Sequence, residues 1–466
     1  MRRFGRWTKI LVGLAVVLIV VAAGVAFVVV PNVPVTYSDP NDRYKYGSFG
    51  TEAESLPLAV WQALPDVCPD QLPGGYASLG AIYEGQNVRP IGISQRRVGG
   101  VERMGVNCAF CHVGGVQEAP GGPLQVVLGM PNQRLDFVRY VQFILSCVAD
   151  PRFTGENVVA AMRKHGPVSA TEAILYRTGV VPMVKRLTAA KAPQFAWLEG
   201  RPAAGPGRLD TPNSLKRMLN VAITPDSIGT VDFPSVWNQA PRAGRFVHWD
   251  ANSPSLSERD HITAAIAGAT TESLDDAELK WLESWLDKLP PPKYPFRIDE
   301  ERATRGAVVY EQQCALCHVQ RSLDVTAIGL VATDRQRLDA LSTDLVTRMN
   351  AFGGGAGTAA HYRKTGGYSN VLLDGIWARA PYLHNGSVPT MADLLEPPAR
   401  RPSVFYAGST VYDQERMGFV WSGSGPGAGV FRFETRLPGN GNGGHDYGTS
   451  LTDAEKRDLL EYLKKM

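Results

Sequence analysis

The chain has 466 residues, which is enough for two or three domains with cores of their own. Its formal net charge of +3 gives no strong positive field of the kind that favours nucleic acid, so no nucleic-acid partner is expected. Hydrophobic residues make up 44% of the chain, as in ordinary globular proteins.

The N-terminus predicts a membrane segment. An unbroken apolar run of 21 residues covers positions 10–30. As a helix this run is about 31 Å long, which matches the hydrocarbon core of a bilayer. Basic residues in the preceding stretch 1–9 make it a cytoplasmic flank by the positive-inside rule, so residues 10–30 are predicted to be a single inner-membrane anchor with the rest of the chain on the periplasmic side. The alternative is a cleaved signal peptide, because small residues lie between positions 22 and 26.

The first chemical motif is the pentapeptide Cys108-Ala109-Phe110-Cys111-His112, which follows an irregular Gly- and Pro-rich lead-in. Cys-x-x-Cys-His is the attachment site of c-type haem. The thiols of Cys108 and Cys111 each bond one vinyl group, and His112 reaches the iron as proximal ligand. The alternative is a zinc site, but zinc takes four ligands and the pentapeptide supplies three. The motif therefore predicts one covalent haem in a first domain over residues 31–290.

Two further cysteines, Cys68 and Cys147, flank this motif. Haem c is attached in an oxidising compartment, where disulfides also persist. A Cys68–Cys147 disulfide is therefore predicted, with two buried free thiols as the alternative. Apolar residues at helical spacing also predict a helix over residues 135–148, with Asp136 near its start.

A proline-rich stretch at 291–298 cannot be helical throughout and is predicted to be a stiff linker. The domain that follows, residues 299–466, contains the second pentapeptide, Cys314-Ala315-Leu316-Cys317-His318. By the same reasoning it predicts a second covalent haem, bonded to Cys314 and Cys317, with His318 as proximal ligand.

An internal repeat closes both domains. The segment 274–278 recurs at 451–455, and with the same offset of 177 residues Trp285 aligns with Tyr462. Both segments are amphipathic helices with acidic residues in the first turn and lysines in the last. The alternative is a chance likeness between two amphipathic helices.

The second domain resembles the class I cytochrome c fold. Gly306 and Tyr310 share one face of a predicted helix just before the second motif. In that fold a small residue and an aromatic on the first helix pack across an aromatic on the last helix, here Tyr462. The distal iron ligand of such a domain comes from the loop before the last helix, where this chain has His445 among glycines that allow close backbone approach.

His445 and His318 are therefore predicted to ligate the second haem together, which leaves no vacant site and makes that haem an electron-transfer centre. Four competing residues are each more simply core or haem-propionate contacts: His361, His384, Met391 and Met417. Subtracting 177 from His445 gives Gly268, which cannot ligate, so the first haem is predicted to be open to peroxide or dioxygen. Its competing sixth ligands are His261, Met130, Met162, Met183 and Met218.

Five further segments carry a resemblance to a known superfamily. They are Phe233–Asn238, His248–Asn252, Ser255–Arg259, Asp374–Ser387 and Pro438–Gly448. The first four resemble the domain signatures of di-haem cytochrome c peroxidases, a superfamily that includes the methylamine dehydrogenase maturation enzyme and the rubber oxygenases. The last segment looks most like the rubber oxygenase branch.

The resemblance implies roles for four residues. Trp249 matches the tryptophan that relays electrons between the haems, although on sequence alone it is equally a core aromatic. His384 matches a histidine near the haem propionates, and His445 matches the distal ligand of the electron-transfer haem. Asp232 stands where the peroxidases place a ligand for an interdomain calcium ion, so Ca²⁺ is a further candidate cofactor. The supporting threonine of that calcium site is replaced by Arg379.

Departures from the superfamily concern the reaction. The peroxidases carry a distal glutamate after the Trp-Asp-Gly-Arg signature, but residues 262–271 contain no carboxylate here. A general acid/base for O–O cleavage is thus missing from its expected place. The rubber oxygenases have a bulky aromatic near the open haem, where the register from Trp249 gives Ala264, which argues against rubber cleavage.

These observations together predict a mostly α protein with two class I cytochrome c-like haem domains in tandem after one N-terminal transmembrane helix. The predicted function is that of a di-haem c-type oxidoreductase, peroxidase- or dioxygenase-like, with peroxide or dioxygen as small-molecule oxidant. Its predicted partners are a small redox protein and, through the anchor, the membrane. The alternative is an electron carrier without substrate chemistry, in which both haems are six-coordinate.

Overall fold

The computed structural model describes residues 35–352, 361–422 and 430–466. The predicted flank and membrane segment, residues 1–30, lie outside these ranges. Within them, no helix combines the length and the apolar character that a bilayer crossing needs. For the described residues only, this finding corrects the predicted fold class and the predicted single-pass inner-membrane topology.

The prediction of a mostly α protein is also corrected, because helix accounts for 42% and strand for 12% of the structure. The strands form two-stranded antiparallel ladders. They arise where the Gly- and Pro-rich stretches between helices turn back on themselves and pair their backbone groups instead of leaving them unsatisfied.

Within the described residues the α-helices are short, and the longest of them spans 14 residues. In chain order they are α1 Pro40–Tyr46, α2 Leu58–Val67, α3 Cys108–Cys111, α4 Phe137–Ala149, α5 Gly155–His165, α6 Ala170–Leu175, α7 Val181–Lys191, α8 Thr211–Met218, α9 Leu256–Ile266, α10 Asp276–Leu286, α11 Glu300–Gln313, α12 Ile328–Val331, α13 Gln336–Ala340, α14 Thr343–Phe352, α15 Met391–Leu394 and α16 Asp453–Leu463. Single turns of π-helix occur at Tyr176–Val180 and Leu316–Gln320.

The strands pair mostly with the next strand in sequence. The ladders are β1 Ile93–Val98 with β2 Val101–Val106, β3 Val113–Val116 with β4 Gln125–Leu128, β5 Arg208–Asp210 with β6 Thr230–Asp232, β7 Val325–Ala327 with β8 Gly367–Ser369, β9 Val404–Ala407 with β12 Phe431–Glu434, and β10 Tyr412–Asp413 with β11 Gly418–Phe419. In β1 and β2 the register pairs Ile93 with Val106. This hairpin leads directly into the first pentapeptide.

The N-terminal region has its core around α2, α4 and α5, where buried side chains such as Trp61 and Phe143 pack together. The predicted disulfide between Cys68 and Cys147 is present and joins the end of α2 to α4. Helix α4 begins two residues later than predicted, because the Asp136 side chain accepts the backbone N–H of Arg139 and so caps the helix.

The C-terminal region is organised by α11 and α16, which cross at Gly306. A Cβ atom at that glycine would lie 2.0 Å from the backbone oxygen of Asp458, so only glycine permits this close approach. The predicted contact between Tyr310 and Tyr462 is present, with ring centroids 5.2 Å apart. Helix α16 begins with a capping box between Thr452 and Glu455.

The predicted linker lies between α10 and α11 and packs against the C-terminal region. Tyr294 joins the core cluster that holds Trp377, and the indole of Trp377 donates to the Pro292 carbonyl at 2.8 Å. Backbone contacts also connect the two regions directly, since the Asp232 amide donates to the His384 carbonyl at 2.9 Å. The division at 291–298 therefore stays a prediction.

Candidate functional site

The second pentapeptide lines a partly open cavity of about 1310 Å³. Helix α11 ends at Gln313, and the π-helical turn after it turns Cys314, Cys317 and His318 towards this cavity. Most of its wall is apolar, as is typical of cofactor pockets.

His318 is held in one orientation by the backbone. Its Nδ1–H donates to the Val371 carbonyl at 2.7 Å, so the lone pair is on Nε2. Burial lowers the pKa of His318 below its usual value, with the Arg379 guanidinium adding to the effect. The imidazole is therefore neutral at neutral pH, as a metal ligand must be.

His445 faces His318 across the cavity, with the two ring centroids 6.4 Å apart. Two imidazoles on opposite sides of one metal ion, each with a metal–nitrogen bond of about 2 Å, have ring centres about 6.3 Å apart. The Nδ1 atom of His445 is buried without a hydrogen-bond partner among the described residues. Burial, with His318 and Arg401 adding to it, lowers the pKa of His445 to about 4. These residues fit a bis-histidine haem.

A buried arginine fixes the loop that carries His445. The Arg401 guanidinium donates to the carbonyls of Asn442 and Gly444, both at 2.7 Å, and to that of His445 at 3.2 Å. The loop runs so close to Val331 and Ala332 that Gly444, with φ of 71°, has no room for a Cβ atom. Arg401 has no motif around it in the sequence, because its role depends on contacts more than 40 residues away.

Other predicted residues line the same cavity. Trp249 is half-buried, and its indole donates to the Asp232 carbonyl at 3.0 Å. His384 is buried and stacks on Tyr368 with ring centroids 4.0 Å apart. Burial, with the arginines 337 and 208 adding to it, lowers the pKa of His384 to about 3, so this histidine is neutral.

The competing ligands of the second haem differ in position. Met391 lines the cavity with His445, so it lies near the site. Met417 is fully buried in the surrounding core cluster. The His361 side chain is 74% exposed, with Nδ1 3.9 Å from a Glu258 oxygen, so it is a surface group.

The first pentapeptide is held in the same way as the second. Helix α3 begins at Cys108 and ends at Cys111. The Asn107 side chain caps this helix by accepting a hydrogen bond from the Ala109 amide at 3.0 Å. The Nδ1–H of His112 donates to the Pro234 carbonyl at 2.8 Å. Burial lowers the pKa of His112 to about 4. A neutral histidine with its Nε2 lone pair available therefore follows both cysteine pairs, as haem attachment requires.

No predicted histidine is presented to the first site. Both ring nitrogens of His261 have oxygen partners, since Nδ1 lies 2.8 Å from the Ser257 carbonyl and Nε2 lies 2.9 Å from Asp276 Oδ1. Ala264, one turn further along α9, packs in the same apolar cluster as Cys108. Met130 is buried and packs against Gly114, two residues after His112, so it lies near the first motif. Met162 is buried in another core cluster, Met183 is half-buried in α7, and Met218 packs against the cluster of Leu215.

The structure places a carboxylate near the first motif that the sequence analysis missed. Asp260 is 7% exposed; its Oδ1 accepts from Arg259 at 2.8 Å, and its Oδ2 is buried without a partner among the described residues. Burial raises the pKa of the Cys108 thiol to about 12, and the nearby Asp260 charge contributes to that rise. Asp260 lies just before residues 262–271, the stretch in which the resemblance to the peroxidases places a distal glutamate.

His248 is a second residue that the sequence analysis did not consider as a site group. It adopts a left-handed backbone with φ of 77°, and its Nδ1 lies 2.6 Å from Asn252 Oδ1. Burial, followed by the Arg337 charge, lowers the pKa of His248 to about 4. The sequence predicts no role for His248, because the resemblance of this segment assigns a role to Trp249 alone.

The calcium prediction gains no support from the donor groups. Asp232 is buried, and burial raises its pKa well above the usual value although Arg208 opposes the rise. Across the part of the chain that the structure describes, no cluster of three or more His, Cys, Asp or Glu side chains could hold a metal ion.

The comparisons with known proteins bear on the second site. A family model for RoxA-like, cytochrome c-like domains matches residues 367–406. This match indicates a c-type cytochrome. It suggests covalently bound haem c and supports the rubber oxygenase-like relationship only in coarse form. The matched stretch contains Val371, His384 and Arg401, all of which contribute to the cavity or the ligand loop.

Two relatives come from Sinorhizobium fredii, and both are described as uncharacterized. The protein y4iM is 29% identical over 331 residues, which is 60% of this chain and 75% of that protein. The protein y4iJ is 30% identical over 256 residues, which is 40% of this chain and 42% of that protein. The wider resemblance to di-haem peroxidases stays a prediction.

Proposed function

We propose that the protein is a di-haem c-type oxidoreductase with one reactive and one electron-transfer haem. Cys314 and Cys317 attach the second haem, and His318 and His445 are its two axial ligands. The observation that carries this assignment is the 6.4 Å separation of the two imidazoles. The same ligand pair supports an electron-transfer role, because a six-coordinate iron has no position for a substrate.

The surface around the second pentapeptide supports electron exchange with a small redox protein. Leu316 is 59% exposed and Val319 is 56% exposed, so apolar side chains reach solvent beside the attachment cysteines. A small apolar contact of this kind suits a transient complex that must form and separate quickly. Trp249, which lines the second cavity and bonds to Asp232, is the proposed relay towards the first haem.

Cys108, Cys111 and His112 attach the first haem, which supplies an open iron position for peroxide or dioxygen when it is bound. The engagement of both His261 ring nitrogens and the small side chain of Ala264 support this open position. Asp260 is the proposed acid/base group of the first site, because its Oδ2 is buried without a hydrogen-bond partner among the described residues. We expect modest peroxidase turnover with this acid/base.

Spectroscopy of the purified holoprotein tests the proposal. Mass spectrometry should show two haem additions that survive acid–acetone extraction. The ferric protein should give one high-spin and one low-spin EPR signal, and the reduced protein should bind one carbon monoxide for two haems. Two low-spin signals with no carbon monoxide bound would instead show an electron carrier. In that case His248→Ala and His261→Ala would identify the sixth ligand.

A matched pair of variants assigns the carbon monoxide site. Ala264→Leu places a larger side chain in the buried cluster beside Cys108 and should weaken carbon monoxide binding. Ala265→Leu adds the same group at a half-buried position on α9 and should leave binding unchanged. Equal affinities in the two variants would place the open iron away from Ala264 and contradict the assignment.

A further inference from the structure

A series of aromatic rings leads from the first pentapeptide to the surface. The Tyr44 hydroxyl donates to the His112 carbonyl at 2.9 Å. The Tyr44 ring stacks on Trp285 with centroids 4.4 Å apart and an interplanar angle of 28°. Trp285 in turn faces Trp281 at 6.2 Å and 21°. The series begins at a fully buried side chain and ends at a partly exposed one.

The outer end of this aromatic series is built rather than accidental. The Arg43 guanidinium lies 4.1 Å above the Trp281 ring, and the same group makes two hydrogen bonds to Glu278, at 2.7 and 2.9 Å. The Arg43 guanidinium therefore holds the Trp281 indole in place by stacking on it. The Glu278 carboxylate neutralises much of the positive charge of Arg43 near the ring. In the repeat, the position of Trp281 is taken by Asp458, so the second unit has no matching surface tryptophan.

We propose that Tyr44, Trp285 and Trp281 form a redox path from the proximal side of the first haem site to a surface oxidation site at Trp281. Because Trp281 is partly exposed, a donor that gives up one electron and one proton, as a phenol does, can be oxidised there without entering the protein. The inference rests on the proposed function in one respect, that an oxidant is reduced at the first haem site.

The electron balance is simple. Trp281 loses one electron inward through Trp285 and Tyr44, and its indole proton passes to water. A phenol then returns one electron and one proton to Trp281 and becomes a phenoxyl radical. Two such cycles supply the two electrons and two protons that convert one hydrogen peroxide to two waters.

The members of the path have different roles. Tyr44 is a bridge rather than a carrier, because its hydroxyl proton faces a peptide carbonyl that cannot accept it. The two tryptophans hold the oxidising equivalent, because they lie nearer the solvent that takes up and returns the indole proton.

The experiment compares Trp281→Phe with Trp197→Phe in the holoprotein. Trp197 is the matched control, a half-buried tryptophan beside the guanidinium of Arg201 but outside the aromatic series. With hydrogen peroxide and a phenol coupled to polyethylene glycol, Trp281→Phe should lose most of the oxidation rate, whereas Trp197→Phe should keep it. Both variants should bind carbon monoxide as the parent does. Equal rates in the two variants would overturn the path.

Two readouts besides turnover complete the test. Peptide mass spectrometry after peroxide without a donor should find oxygenated Trp281 and Trp285, and little change at Trp197. Flash photolysis with a soluble ruthenium oxidant should oxidise the first ferrous haem more slowly in Trp281→Phe and Trp285→Phe than in Trp197→Phe. This measurement needs no peroxide chemistry, so it separates failure of the path from failure of the proposed function. Identical photolysis rates in all variants would refute the path.

Discussion

The two units that carry the Cys-x-x-Cys-His pentapeptide place it in different surroundings. Phe110 in the first motif and Leu316 in the second occupy the same position between the cysteines, yet Phe110 is 1% exposed and Leu316 is 59% exposed. The first motif is enclosed by the N-terminal core, whereas the second borders the surface. The comparison suggests a division of labour in which chemistry occurs at the enclosed motif and electrons enter or leave at the exposed one.

The closing helices of the two units keep one framework and vary the residues on it. Tyr462 on α16 packs against Tyr310 on α11 at 5.2 Å, and its repeat partner Trp285 on α10 packs against Tyr44 on α1 at 4.4 Å. An aromatic pair between an opening and a closing helix is thus common to both units. What differs is the loop before the closing helix, which carries His445 in the second unit and Gly268 in the first.

Removing His445 should produce the largest spectroscopic change and make the second unit resemble the first. In His445→Ala the distal ligand is lost, so the low-spin ferric signal should become high-spin and a second carbon monoxide should bind the reduced protein. His361→Ala is the control, because that histidine is on the surface. An unchanged EPR spectrum in His445→Ala would reject the ligand and promote Met391, which lines the same cavity.

Truncating the paired motif residues should give very different stabilities. Phe110→Ala empties a buried aromatic site and should lower the free energy of unfolding by about 3–5 kcal/mol. Leu316→Ala, at the same motif position, should change it by about 0.5 kcal/mol or less because that side chain is exposed. Chemical denaturation measures both values. Equal losses in the two variants would mean that the motifs are buried alike and would remove the basis of the comparison.

The sequence predicted three features of the fold on different grounds. The helix after Asp136 followed from apolar spacing and capping, the Cys68–Cys147 disulfide from the oxidising compartment, and the contact between Tyr310 and Tyr462 from the resemblance to class I cytochromes c. The mostly α fold class was wrong. The predicted transmembrane segment lies outside the described residues, and these contain no helix able to cross a bilayer. Strands β5–β8 have three residues each, which is too short to show the apolar–polar alternation that identifies a strand in a sequence. Their partner strands also lie 20 or more residues away.

The missed site residues have a common cause. Arg401 binds the His445 loop, Asp260 lies beside Cys108, and Tyr44 stacks on a tryptophan more than 200 residues later. Each contact joins segments that are distant in sequence, and the same residue types are usually surface or core groups. Motif spacing could single out the two pentapeptides as candidate haem attachment sites, whereas the groups that position them became visible only in the folded chain.

Loosening the ligand loop should weaken the distinction between the two units without abolishing it. Arg401→Leu removes the charged donor from several buried carbonyls, which should cost about 2–3 kcal/mol of loop stability. We expect a mixture of high-spin and low-spin signals at the second haem. Arg400→Leu is the matched control, since its side chain is 69% exposed. A fully low-spin spectrum in Arg401→Leu would show that the loop holds its position without the guanidinium.

Crowding the crossing of α11 and α16 should affect the second unit alone. In Gly306→Ala the new methyl group meets the Asp458 backbone oxygen, so the helices must separate, and the free energy of unfolding should fall by about 1–3 kcal/mol. Gly329→Ala is the control, because its Cβ position has open space within 4 Å. Thermal melting followed at the second haem should separate the variants. Equal melting curves would contradict the tight crossing.

The smallest expected effect concerns acid stability of the same crossing. The Arg305 guanidinium donates to both Asp458 oxygens, at 2.7 and 3.0 Å, and holds the pKa of that carboxylate below its usual value. Because the folded pKa is depressed, the stabilisation is fully present above the unfolded pKa of about 4 and is lost as the pH falls through the folded value. The pair reaches the surface, so its contribution should be about 1 kcal/mol or less.

Asp458→Asn should therefore lower the melting temperature of the second unit at pH 7 and flatten its dependence on pH below about 4. The first unit has Trp281 at the corresponding position, so its melting should be unaffected by the substitution. If the melting temperature of the second unit in Asp458→Asn falls with pH below about 4 as steeply as in the parent, the pH dependence comes from other carboxylates.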